Sequence, residues 1–169
     1  MIFIIVVLST CLIPLSLIPF FLYQKMIFSI HLPEKKARFV PLGITLLLYV
    51  FCYMLLRKIP IPPLYHAFCF ASIIAVLLTL AITLKWKISL HMVGLGGLTG
   101  LISFLIFSMR VNLEFYLIMT VIAAGLAGTS RLFLDAHRPS QLYAGFVLGL
   151  LTIPAVMWVY LAFPFLPVQ

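Results

Sequence analysis

Apolar and polar positions along this chain fall into long blocks, with neither the alternation of a strand nor the one-sided stripe of a surface helix. Apolar runs cover residues about 1–23, 40–56, 64–84, 92–109, 115–128 and 141–163, and short polar stretches separate them. Most of the runs hold roughly 17 to 23 residues, and about 20 apolar residues cross a hydrocarbon core about 30 Å thick. The pattern predicts an all-α, polytopic membrane protein: six transmembrane helices in one bundle, forming a single integral membrane domain over residues 1–169. Pro14 and Pro19 are expected to kink the first span. The proline-rich stretch at 57–63 cannot continue a helix, so it separates the second span from the third.

Six spans alternate in direction, so the stretches after spans one, three and five emerge on one face. These are residues 24–39, 85–91 and 130–140, and they carry His31, His91 and His137. They also carry eight of the eleven basic residues: Lys25, Lys35, Lys36, Arg38, Lys85, Lys87, Arg131 and Arg138. Arg57, Lys58 and Arg110 fall on the other face. Helix count alone therefore gathers basic groups and imidazoles at one membrane surface. The positive-inside tendency of short loops would make that face cytoplasmic. It accounts for the lysines and arginines better than for the histidines. A phosphate carried by a lipid also suits such a surface, because arginine offers forked donors to its oxygens and histidine serves as nucleophile or general acid.

Composition supports the membrane assignment. The chain is 65% hydrophobic and 8% charged, against about 25% charged in a water-soluble domain. Its net charge of +8 lies in short loops with no basic-aromatic surface. Membrane lipids are therefore the expected partners, not nucleic acid. Cys11, Cys52 and Cys69 sit in apolar runs and are expected to pack as small hydrophobes, with no metal-ligand spacing. No cofactor or metal is expected. The first run lacks a basic leader and a small-residue cleavage site, so it reads as a retained helix. Gly96 and Gly100 are spaced for close helix packing and do not form a phosphate loop. Tyr23, Trp86 and Trp158 near span ends are expected interfacial anchors, and His66, on the opposite face, is expected to be structural.

The densest polar stretch is residues 130–145, SRLFLDAHRPSQLYAG, with Ser130, Arg131, Asp135, His137, Arg138 and Gln141. Charge near a bilayer is costly, so this cluster is the leading candidate for a functional site. Its spacing, Ser130-Arg131, five residues, His137, three residues, Gln141, resembles the third signature of the type 2 phosphatidic acid phosphatase and vanadium haloperoxidase superfamily. Ser89 and His91, just before span four, match two positions of the second signature. The first signature resembles this chain at Arg38, with His31 in place of its lysine and Lys35 and Lys36 nearby. The resemblance extends over residues 24–163 in the expected order.

The resemblance implies metal-independent removal of phosphate from a lipid phosphate or prenyl pyrophosphate through a phosphohistidine. His137 would attack phosphorus, and His91 would protonate the leaving group and then activate water. Arg131, Ser130, Ser89, Arg38, Lys36 and Lys35 would hold the phosphoryl oxygens. The family carries aspartate where Gln141 stands. In a continuous helix Gln141 would share a face with His137 and reach its ring, fixing the tautomer without supplying charge. A catalytically weak relative that binds lipid phosphates is the alternative expectation. A small transporter or channel subunit is a third, and the lack of acidic residues deep in the spans argues against it. The resemblance and small size imply a bacterial inner-membrane protein with its site facing the periplasm or exterior.

Overall fold

The structure, a computed structural model, describes residues 35–163, with side chains described over 41–163. The expected first span with Pro14 and Pro19, and Cys11, Tyr23, Lys25 and His31, lie outside the described residues, as do the side chains of Lys35, Lys36 and Arg38. Five helices make up the described chain: α1 (Lys35–Leu56), α2 (Pro63–Lys85), α3 (Leu90–Met109), α4 (Glu114–Phe133) and α5 (Pro139–Ala162). The described residues are all-helical, with no strand among them. By length and composition, α2, α3, α4 and α5 can each cross a membrane. The described side chains of α1 begin at Pro41, and Pro41–Leu56 is apolar. Of the six spans expected, four are thus long and apolar enough to cross a membrane among the described residues, and α1 falls on the second expected span.

Local chemistry explains the boundaries. Pro63 and Pro139 each open a helix, where a missing N–H costs nothing and the fixed φ is already helical. At its end, α3 closes on Arg110 in the left-handed conformation, with φ 56°. The Val111 N–H then returns to the Leu105 carbonyl at 3.2 Å. One boundary departs from expectation. The fifth span was expected to end near residue 128, but α4 runs on to Phe133. Ser130 and Arg131 therefore sit on its last turn and not in a loop.

The most extensive helix pair is α3 with α5, and it is built from backbone. Gly96 lies under the Phe146 carbonyl, and Gly149 lies against the Val93 carbonyl. A methyl on Gly100 would come within 2.7 Å of the Leu150 carbonyl and 2.9 Å of Pro154 Cδ. Pro154 explains that last contact. It has no N–H to give Leu150, so the carbonyl is left over inside α5, and Gly100 lets the backbone of α3 close onto it. Gly96-xxx-Gly100 therefore packs helices as expected, and Gly145-xxx-Gly149 is its partner on α5. In both helices the contacts advance in the same direction, so α3 and α5 are parallel and start at the same end of the bundle.

At the opposite end lies the main apolar core, where α1, α2, α3 and α5 bring together Leu56, Ala67, Phe104 and Met157. Cys52 and Cys69 are buried there among the apolar side chains, as expected. The Tyr53 and Tyr160 hydroxyls bond at 3.0 Å inside this core. His66 is fully buried and its Nε2–H donates to the Leu56 carbonyl at 3.2 Å, a structural role in keeping with its expected one.

Candidate functional site

Because α3 and α5 run side by side from the same end, their first turns meet. The Ser89 N–H donates to the Gln141 carbonyl at 3.3 Å, joining the start of one helix to the start of the other. Ser89 is the N-cap of α3, yet its side chain makes no capping bond. The residue is fully buried and its Oγ has no hydrogen-bond partner among the described residues. Two helix N-termini at one place bring partial positive charge together, which favours an anion.

Next, α4 brings Arg131 to the same end. Its Nη2 lies 2.8 Å from Nε2 of His91 and 3.3 Å from Nδ1. A guanidinium only donates, so the imidazole accepts, and His91 is neutral in this arrangement. His91 was expected in a loop. It stands instead on the first turn of α3, because that helix starts at Leu90.

The turn between α4 and α5 holds His137. Past Phe133 the chain makes a Schellman stop. The Asp135 N–H bonds the Leu132 carbonyl at 3.0 Å and the Ala136 N–H bonds the Arg131 carbonyl at 3.1 Å. Such a stop needs one left-handed residue, and that residue is Asp135, with φ 49°. Aspartate tolerates this region better than most residues other than glycine. On the far side, the Arg138 N–H donates to Gln141 Oε1 at 3.1 Å, which is half of a capping box. The reciprocal half cannot form, because an arginine side chain has no acceptor. His137, half-buried, is thus the single residue between a helix stop and a helix cap. Asp135→Val is expected to lower the unfolding midpoint by a few degrees, through a strain of roughly 1–3 kcal/mol. Asp135→Gly is expected to hold or raise it, and thermal unfolding in detergent would measure both.

This geometry corrects one expectation. His137 lies before α5 and not within it, so the helical i to i+4 relation to Gln141 does not apply. Gln141 is the third residue of α5, where glutamine is a favoured capping residue, and its amide oxygen holds the N-cap backbone.

The structure thus brings Ser89, His91, Arg131, His137 and Gln141 to one end of the bundle, with Ser130 and Arg138 exposed beside them. Antiparallel pairing of α1 with α2 starts α1 at that same end, so Lys35, Lys36 and Arg38 lie on its first turns there. Sequence reasoning missed two features. One is the bond from Lys87 Nζ to the Ala136 carbonyl, at 2.7 Å, which no spacing could reveal. The other is the Gly145-xxx-Gly149 stripe, which the spacing did signal. No group of three or more histidine, cysteine, aspartate or glutamate residues placed to hold a metal occurs among the described residues.

Two apolar grooves flank α3. One, of about 360 Å³, lies between α1, α2 and α3 and runs from Leu90 past Gly94 to Leu98, with Thr45, Ser72 and Thr79 on its walls. The other, of about 350 Å³, lies between α3, α4 and α5 beside Gly128, Leu132 and Leu142. Both adjoin the polar end through residues next to His91, Arg131 and Gln141. Comparisons with models of known families, with curated proteins and with solved structures find no match to this chain.

Proposed function

We propose that the polar end of the bundle is the active site of a metal-independent lipid phosphatase. It would remove phosphate from a lipid phosphate or diphosphate. The observation that carries this reading is the convergence of Arg131, His91 and the His137 turn with the first turns of α3 and α5. A phosphate monoester brings negative charge to a cluster of cationic and N–H donors, and the grooves beside α3 suit a hydrocarbon tail held below it. Membrane lipids are the natural partners of a chain whose described residues include four helices fit to cross a bilayer.

In this reading, a bound phosphate draws Arg131 from His91 onto its oxygens. The Nε2 that Arg131 occupied then becomes free to carry a proton. His137 attacks phosphorus as the P–O bond to the lipid breaks, and His91 gives its proton to the departing oxygen. His91 next takes a proton from water as that water attacks the phosphohistidine, releasing phosphate and restoring both imidazoles. Ser89 Oγ, Ser130 and the α3 and α5 N–H groups would bear charge on the equatorial oxygens. Lys35, Lys36 and Arg38 would extend the basic rim, and the site would face the exterior of a bacterial inner membrane.

The test is phosphate release by the purified protein from a panel of lipid phosphates and diphosphates, with a metal chelator present. The quenched enzyme is also assayed for protein-bound phosphate that is acid-labile and base-stable. Release together with such a label supports the reading. Gln141 favours a second reading, since an amide stands where the resembling family has a carboxylate. Folded protein that binds vesicles containing a lipid phosphate but releases nothing would support a non-catalytic binding protein and overturn the first reading.

A further inference from the structure

We infer that Lys87 is a positioning residue for His137, acting through the Ala136 carbonyl; the inference rests on the phosphohistidine reading above. Lys87 belongs to the connector 86–89 between α2 and α3, four residues before His91. Its ammonium donates to the Ala136 carbonyl at 2.7 Å across 49 residues of sequence, and that carbonyl belongs to the peptide bond that enters His137. The half-buried setting strengthens a charge-assisted bond relative to one in open water.

The other bonds that shape this turn are local. The Ala136 N–H is held by Arg131 on α4, and the Arg138 N–H by Gln141 on α5. They set the conformation of the turn, and they reach the start of α3 indirectly, through the bond from Arg131 to His91 and the bond from the Ser89 N–H to the Gln141 carbonyl. Lys87 relates the two directly, because its backbone leads to His91 four residues on and its side-chain bond ends at the peptide that enters His137. Lys87 therefore helps to set the spacing between the nucleophile and the general acid. A misplacement of about 1 Å between reacting groups can cost about a hundredfold in rate, so a strut at this position has leverage.

The experiment compares Lys87→Met, which keeps the apolar stem, and Lys87→Arg, which keeps a cationic donor, with wild type. Lipid phosphate hydrolysis is followed over a range of substrate concentrations. The expected result is a fall in kcat of about tenfold or more for Lys87→Met, with KM little changed, and substantial recovery in Lys87→Arg. A rise in KM with kcat unchanged would overturn the inference, because it would make Lys87 a substrate-binding group. Unchanged kinetics in a folded variant would overturn it too. Hydrogen exchange in lipid nanodiscs supplies a readout independent of turnover. Lys87→Met is expected to speed exchange of the 136–138 amides while those of α3 and α5 stay protected. If wild type releases no phosphate, the functional reading fails, and exchange alone decides the strut: unchanged protection at 136–138 would refute it.

Discussion

His137→Ala is expected to abolish phosphate release, with a fall of about 10³ or more in kcat, while the protein remains folded. On the proposed mechanism His137 forms the bond on which both chemical steps depend, so no neighbour could share the loss. Stability should change little. His137 is half-buried in a turn whose conformation is set by backbone bonds at Asp135, Ala136 and Arg138, and alanine preserves every one of them. The acid-labile phosphate on the protein should disappear together with the activity. Undiminished release by the mutant would place the nucleophile elsewhere or trace the activity to a contaminant. Loss of release accompanied by loss of the folded peak in size-exclusion chromatography would assign His137 a structural role.

Gly149→Val is expected to cost the bundle about 3 kcal/mol. Its new methyl groups would press into backbone, since even a single Cβ there meets the Val93 carbonyl and comes within 2.5 Å of the Gly97 nitrogen. Backbone in two rigid helices cannot step aside as a flexible side chain can, so α3 and α5 must separate. The Ser89–Gln141 bond at the site end goes with them, and activity should fall in step with stability. Gly94→Ala and Gly125→Ala are the controls. A methyl at either position meets nothing within 4 Å, and alanine favours the helix over glycine by roughly 1 kcal/mol. Thermal unfolding in detergent should rank Gly149→Val far below both controls. Equal midpoints would refute the close α3–α5 contact.

Much of the architecture was legible because it follows from local rules. Apolar blocks of span length mark helices whatever they pack against, and the helices at 63–85, 90–109 and 139–162 lie within a few residues of the expected spans. The prolines at 63 and 139 announce helix starts, since proline at the first position needs no donor. Alternation of direction was enough to bring His91, Arg131 and His137 to one end. The spacing of Gly96 and Gly100 was enough to mark a close helix contact, because only small residues let backbones touch.

The remaining features depended on contacts between distant parts of the chain. That α4 extends to carry Ser130 and Arg131 on its last turn follows from Asp135 accepting a left-handed conformation, a role usually filled by glycine and so not visible in composition. That Gln141 caps α5 follows from the helix starting at Pro139, which leaves His137 outside the helical face the two were expected to share. The pairing of Gly96 and Gly100 with Gly145 and Gly149, the fit of Gly100 against the carbonyl freed by Pro154, and the reach of Lys87 across 49 residues depend on which helices lie side by side. Sequence determined that this chain forms apolar helices with a polar, histidine-bearing end. Tertiary structure decided which donors meet there, because hydrogen bonds and steric contacts act over a few ångströms in space regardless of separation along the chain.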